Sequence, residues 1–128
     1  MPVDTSLLIA GALIALIGMA HSVLGERYIL MRLFRRSDIP HLFGGPEFTK
    51  RTLRFTWHIT TVAWFGFAAI VVLAASNQLS ASSVLYVVGA TFAVSAILAA
   101  VCSQLQHLSW VVFAAIAALV SLSAKALS

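Results

Sequence analysis

Two histidines at matched depth in apolar surroundings are the side chains of this sequence best suited to chemistry. His21 comes six residues before Arg27, and His58 comes six residues after Thr52. At about 1.5 Å per helical residue, each imidazole is expected about 9 Å inside the end of its helix. An ionisable side chain that faces lipid is unfavourable, so both rings are expected to point between helices and to find partners there.

A transition-metal ion is one possible partner. His21, His58 and His107, with Glu26 completing the set, offer the nitrogen and carboxylate ligands that zinc, iron and copper accept. These histidines are distributed one per segment and do not form a local H-x-x-x-H motif. The residue types therefore indicate a metal site, whereas their spacing adds no support.

A haem b group is a second possible partner, with His21 and His58 as its two axial ligands. Small residues beside His21 would accommodate a flat ring, and aromatic residues surround His58. Arg27 and Arg54 lie near the helix ends, where they would bind the propionates. Four-helix bundles hold cofactors between facing helices, so this assignment is compatible with the expected fold.

The simplest alternative gives the histidines a structural role. Each imidazole would then hydrogen-bond the other or a neighbouring hydroxyl, such as that of Ser22 or Thr61. The same groups would also suit a proton relay or a quinone site. No serine, cysteine or lysine lies beside a recognisable base, and no carboxylate pair has a spacing suited to hydrolysis, so the sequence does not indicate a hydrolase.

The composition places these residues in a membrane protein. Hydrophobic residues make up 61% of the 128-residue chain and charged residues 9%, against about 45–50% and about 25% in soluble domains. A soluble chain of this length could not bury so much apolar surface, so the excess is expected to face lipid. The basic residues are concentrated beside apolar runs, which argues against a nucleic-acid partner.

Four apolar runs are expected to form the helices that position the histidines. The expected spans cover about 5–27, 52–75, 80–101 and 108–126, and a basic amphipathic loop at 28–51 joins the first two. Each run is long enough to cross a hydrocarbon core of about 30 Å. Because the later connections are short, consecutive helices are expected to be antiparallel. The sequence predicts a single all-α domain, an up-down antiparallel bundle of four transmembrane helices.

Small residues form stripes on two of these spans. One runs from Gly11 to Gly25 on the first span, and another runs from Gly89 to Ala100 on the third. Such stripes let helix backbones approach closely in lipid, and the two are expected to face each other. The long first loop leaves open whether spans one and two are adjacent or diagonal. Diagonal helices would leave room for a macrocycle, whereas adjacent helices favour a bare ion or a hydrogen bond.

The distribution of basic residues predicts the orientation. Seven of the eight Lys and Arg residues lie between Arg27 and Arg54, and the remaining one is Lys125. Loops rich in Lys and Arg stay in the cytoplasm, so both termini are expected outside. The arginines of the loop are expected to contact anionic lipid headgroups, in what is expected to be a bacterial inner membrane.

Two functional hypotheses follow from this reasoning. In the first, an integral membrane protein holds a metal ion or haem iron through its histidines near the cytoplasmic face, with a redox or metal-handling role. In the second, the histidines are structural, and the chain is a cofactor-free accessory subunit of a membrane complex or a small homo-oligomeric transporter. Neither hypothesis specifies a substrate.

Overall fold

Four apolar helices account for most of the chain. A computed structural model describes residues 2–128, and within them the helices are α1 (Thr5–Leu33), α2 (Glu47–Ala75), α3 (Ala81–Ser103) and α4 (Ser109–Leu127). Each is long and apolar enough to cross a membrane. The prediction of an all-helical chain with four such helices is therefore confirmed, and the helices fit an integral membrane protein.

The helices extend into the segment predicted as a basic loop. Helix α1 has three parts: α-helix at Thr5–Leu24, π-helix at Gly25–Leu30 and a final α-helical turn at Met31–Leu33. Helix α2 begins at Glu47, so only residues 34–46 of the loop at 28–51 are outside the helices. The arginines at the end of α1 are consequently carried on helical backbone.

Two helix starts are fixed by short polar side chains, as expected where the first backbone N–H groups have no partner within the helix. The Asp4 carboxylate accepts hydrogen bonds from the backbone N–H groups of Ser6 and Leu7 at the start of α1. Ser80 and Ser83 exchange side-chain and backbone hydrogen bonds at the start of α3. These polar residues precede the apolar runs, and their hydrogen bonds fix where the helices begin.

Helices α1 and α2 pack directly against each other through the small residues of α1. Gly11 lies against Val72, and Gly25 lies against Trp57. Residue numbers therefore fall along α2 as they rise along α1, so the two helices run in opposite directions. Their adjacency answers the question that the long loop leaves open in the sequence.

The small residues of α3 face α4 and not α1. Gly89 lies against Ser121, and the Ser82 hydroxyl donates a hydrogen bond to the Ala124 carbonyl. The expectation that the stripes of the first and third spans face each other is therefore wrong. Within residues 2–128, the helices pack as consecutive pairs, and no Cα atom of α1 lies within 8 Å of α3 or α4.

Few large side chains are buried between these helices. The largest fully buried side chains are those of Phe55 and Ser103, whereas many large apolar side chains are exposed on the helix surfaces. In a soluble protein such surfaces would be an aggregation hazard, whereas a hydrocarbon environment would cover them. The interior contacts therefore depend mainly on small residues and on a few polar groups between α1 and α2.

A candidate polar site between the first two helices

The π-helical segment Gly25–Leu30 shapes the polar contact between α1 and α2. A π turn holds one more residue than an α turn and often lies at a functional site. In the π turn here the Met31 N–H donates to the Glu26 carbonyl. Next to it, the Trp57 indole Nε1–H donates to the His21 carbonyl over 3.1 Å. Gly25 leaves the space that the indole occupies, since a side chain at this position would overlap the ring.

Five side chains form a connected polar cluster: Ser22, Glu26, Arg54, His58 and Thr61. His58 is at its centre, with Nδ1 2.8 Å from the Ser22 hydroxyl and Nε2 3.3 Å from a Glu26 carboxylate oxygen. The Ser22 hydroxyl is also 2.8 Å from the Thr61 hydroxyl. Thr61, which is buried, donates in turn to the Gly18 carbonyl over 3.2 Å. The cluster thus links both helices by side-chain hydrogen bonds.

Glu26 lies between a permanent cation and an imidazole. The Arg54 guanidinium contacts both carboxylate oxygens, at 2.8 Å and 3.2 Å, and also lies over the Phe34 ring. Arg27, the sequence neighbour of Glu26, instead lies on the surface near the Tyr28 ring. Arg54 is therefore the counter-ion of Glu26, and Arg27 is not part of the cluster.

The hydrogen bonds of His58 are satisfied in either charge state without moving any side chain. A carboxylate can only accept, so the Nε2–H group donates to Glu26. When the ring is neutral, the Ser22 hydroxyl donates to Nδ1. When the ring is protonated, Nδ1–H donates to Ser22, Ser22 donates to Thr61, and Thr61 donates to the Gly18 carbonyl. Only the Ser22 hydroxyl therefore changes its acceptor when a proton binds, because the Gly18 carbonyl cannot donate and Thr61 donates to it in both states.

His21 occupies different surroundings from His58. Its ring is stacked on Trp57 at a centroid distance of 4.6 Å and an interplanar angle of 2°, and Trp64 lies 5.1 Å away. Its Nε2 atom is buried and has no hydrogen-bond partner within residues 2–128. Trp57 thus contacts His21 twice, through the stack and through the bond to its carbonyl. The two histidines share depth but not partners.

His107 lies just before α4 and bonds its first residue. Its Nδ1 accepts a hydrogen bond from the Ser109 backbone N–H and lies 2.8 Å from the Ser109 hydroxyl. The ring also packs against Phe48 and Phe55 at the beginning of α2. This arrangement gives His107 a capping and packing role. The remaining histidine, His41, is exposed in the segment between α1 and α2.

The described residues include no group of three or more His, Cys, Asp or Glu side chains that could hold a metal ion. Of the predicted set His21, His58, His107 and Glu26, the structure joins only His58 and Glu26. Of the two arginines expected near haem propionates, Arg54 joins this pair through Glu26. The metal and haem assignments remain predictions.

The cluster opens sideways into a shallow groove. The groove has a volume of about 520 Å³ and is lined by Ser22, Val23, Glu26, Arg27, Met31 and His58. Its walls include both charged and apolar side chains. His58 and Glu26 are therefore both accessible from this groove.

Comparison with protein families, curated proteins and solved structures found no match for this chain.

Proposed function

We propose that this chain is an integral membrane protein that binds and releases a proton at His58. The observation that carries the proposal is the position of the Ser22 hydroxyl, which can donate to Nδ1 of the neutral His58 ring or accept from the protonated ring and donate to Thr61. Because both charge states of the ring keep their hydrogen bonds, proton binding leaves no buried polar group without a partner. Such groups destabilise a protein by about 1–3 kcal/mol when they are left unpaired.

The charges around His58 suit this role. Histidine is the side chain whose charge ordinarily changes between about pH 5 and 8. The Glu26 carboxylate stabilises the protonated ring, and Arg54 stabilises the carboxylate when the ring is neutral. The lateral groove beside Glu26 and His58 supplies a route for the proton. The cluster therefore combines a titratable group, a counter-ion and access.

A proton site of this kind belongs to a small proton-coupled transporter or to an accessory subunit of a membrane complex. The up-down arrangement of the helices, the cytoplasmic position of the basic segment 27–54 and the outward position of both termini are part of this proposal. They are supported by seven basic residues in that segment. A bacterial inner membrane with anionic lipids is the proposed location.

The test is solid-state NMR of protein with ¹⁵N-labelled histidine in lipid bilayers, titrated from pH 5 to 8. We expect the His58 ring, assigned through its loss in His58→Gln, to pass between a neutral Nε2–H form and a doubly protonated form. Glu26→Gln preserves an acceptor but removes the charge, so the ¹⁵N shift of the His58 Nε2 atom is expected to change while its hydrogen bond is kept. His41→Gln is the matched control, since it removes an exposed imidazole and leaves the cluster intact.

Two results would contradict the proposal. One is a His58 ring that stays in a single protonation state over the whole range. The other is a ¹⁵N shift of the His58 Nε2 atom that is identical in the wild type and in Glu26→Gln.

A second candidate keeps a metal ion or haem iron at the histidines, with a redox or metal-handling role. It is supported by His21, whose buried Nε2 has no hydrogen-bond partner within residues 2–128. His58 would have to release Ser22 or Glu26 to act as the other ligand. The visible spectrum and metal content of protein purified from a haem- and metal-replete host test this candidate. A Soret band or bound metal that His21→Ala removes and His41→Ala retains would support it, and a colourless, metal-free protein would refute it.

A further inference from the structure

A tight turn at Leu42–Gly45 forms the tip of the segment between α1 and α2. Backbone hydrogen bonds of 3.0 Å and 3.4 Å connect Leu42 and Gly45 in both directions. The two central residues, Phe43 and Gly44, have φ values of 52° and 92°. Positive φ at both central positions defines a type I′ turn, which ordinarily favours Asn, Asp or Gly.

Phe43 is unsuited to this position in two ways. A bulky side chain in the left-handed region is a conformational outlier, and such outliers often accompany function. The side chain is also 89% exposed, the most exposed of the large hydrophobic residues in the described part of the chain. If the ring contacted only water, nothing would offset the unfavourable backbone conformation or the exposure of this apolar side chain. An apolar neighbour outside the chain would explain them.

Aromatic contacts hold the turn in a fixed place. The Phe43 ring meets Phe48 edge to face at 4.8 Å, Phe48 stacks on His107 at 5.8 Å, and His107 meets the buried ring of Phe55 at 5.1 Å. This series connects the exposed tip to the interior of α2. The Phe43 ring is therefore supported from the side of α2 by packed aromatic rings.

A cavity with one arginine and one glutamate in its lining lies beside the exposed ring. It has a volume of about 530 Å³ and is lined by polar and aromatic residues that include Phe43, Phe48, Arg51 and Gln106. Glu47 also lines it, but its carboxylate pairs with Lys50 at 3.0 Å. Arg51 has no ion pair in residues 2–128, so its guanidinium is available for an anion.

We propose that this turn and cavity bind an anionic phospholipid of the membrane that the helices cross. Phe43 inserts at the boundary between headgroups and acyl chains, while Arg51 and Gln106 bind the phosphate. The charge of Arg51 complements the phosphate, and the exposed ring complements the adjoining apolar layer. Arg51 lies in the first turns of α2, before its apolar part, so the cavity is expected near the depth of the phosphates.

The depth of Phe43 is tested by spin labelling. A nitroxide on Phe43→Cys, in a Cys102→Ala background, is examined in bilayers of phosphatidylcholine with and without phosphatidylglycerol. We expect high accessibility to oxygen and low accessibility to a water-soluble nickel complex. Ser37→Cys, an exposed position in the same segment, is the matched control and should show the reverse. A label at position 43 with the aqueous pattern of position 37, or spin–spin broadening that reveals a second copy there, would overturn the proposal.

Lipid selection is tested with the turn intact. Arg51→Gln is expected to lower the phosphatidylglycerol retained by purified protein at least threefold in a mixed-lipid extraction. Lys125→Gln makes the same charge change at the other end of the chain and should leave retention unchanged. Equal retention in the two variants would overturn the phosphate assignment, and so would displacement of the lipid by inorganic phosphate alone.

Discussion

Gly25→Ala is expected to destabilise the packing of α1 on α2 because Trp57 occupies the space of the missing side chain. A Cβ atom at position 25 would lie 2.6 Å from Cζ2 of the indole, and closer still to Nε1. Carbon atoms ordinarily stay about 3.5–4.0 Å apart, so the ring would have to retreat by about 1 Å. Trp57 makes two interactions with His21, a hydrogen bond from its Nε1–H to the carbonyl and a stack against the ring. Its retreat therefore affects two interactions at once.

The size of the effect follows from those two interactions. A hydrogen bond contributes about 1 kcal/mol net, and an aromatic pair contributes about 0.5–1.5 kcal/mol. Their combined loss is about 2 kcal/mol, which falls within the range of about 1–3 kcal/mol for overpacked sites. The folding equilibrium constant should fall by about thirtyfold.

Reversible unfolding in mixed micelles, followed by circular dichroism and tryptophan fluorescence, measures this change. Gly45→Ala is the matched control, because nothing lies within 4 Å of a Cβ atom at that position. In a Trp57→Ala background the additional effect of Gly25→Ala should largely disappear, since the obstacle is gone. A Gly25→Ala variant as stable as Gly45→Ala, with unchanged tryptophan emission, would refute this account of the contact.

Two further predictions concern other parts of the chain. Hydrogen bonds from the Arg36 guanidinium lower the pKa of Asp38 from 3.8 to about 2; this stabilising contribution is present above pH 3.8 and is lost as the pH falls through 2. In Arg36→Gln, carboxyl ¹³C shifts should show the Asp38 pKa returning toward 3.8, and an unchanged titration would contradict this cause. Phe55 is 1% exposed, so Phe55→Ala should destabilise the chain by about 3–5 kcal/mol in the same unfolding assay, whereas a loss below about 1 kcal/mol would show that the site collapses.

The sequence predicts the helices well because apolar length alone determines them. Runs of about 20 apolar residues can satisfy their backbone groups in lipid only as helices. The small residues Gly11 and Gly25 were also correctly interpreted as a packing seam. The predicted partner of the stripe on the third span was wrong. Periodicity shows that Gly89 lies on a packing face, but it does not show which helix covers that face.

The candidate site was predictable in part. Ser22 and Thr61 lie within one helical turn of His21 and His58 in the sequence, but only one histidine bond of this kind forms. Ser22 bonds His58 on the neighbouring helix, and Thr61 bonds Ser22 and the Gly18 carbonyl. The pairing of Glu26 with Arg54 was not predicted. It depends on the π turn, which changes the direction of Glu26, and on the adjacency of α1 and α2. Neither property has a signal in residue type or spacing.

The packing of α1 on one neighbour has a mechanical consequence. Within residues 2–128, α2 is the only other helix with Cα atoms within 8 Å of α1, so a tilt of α1 about this seam would separate no other pair of helices. The bonds that cross the seam at Ser22 and Glu26 end on His58. A tilt of α1 away from α2 would therefore stretch both bonds of this one imidazole.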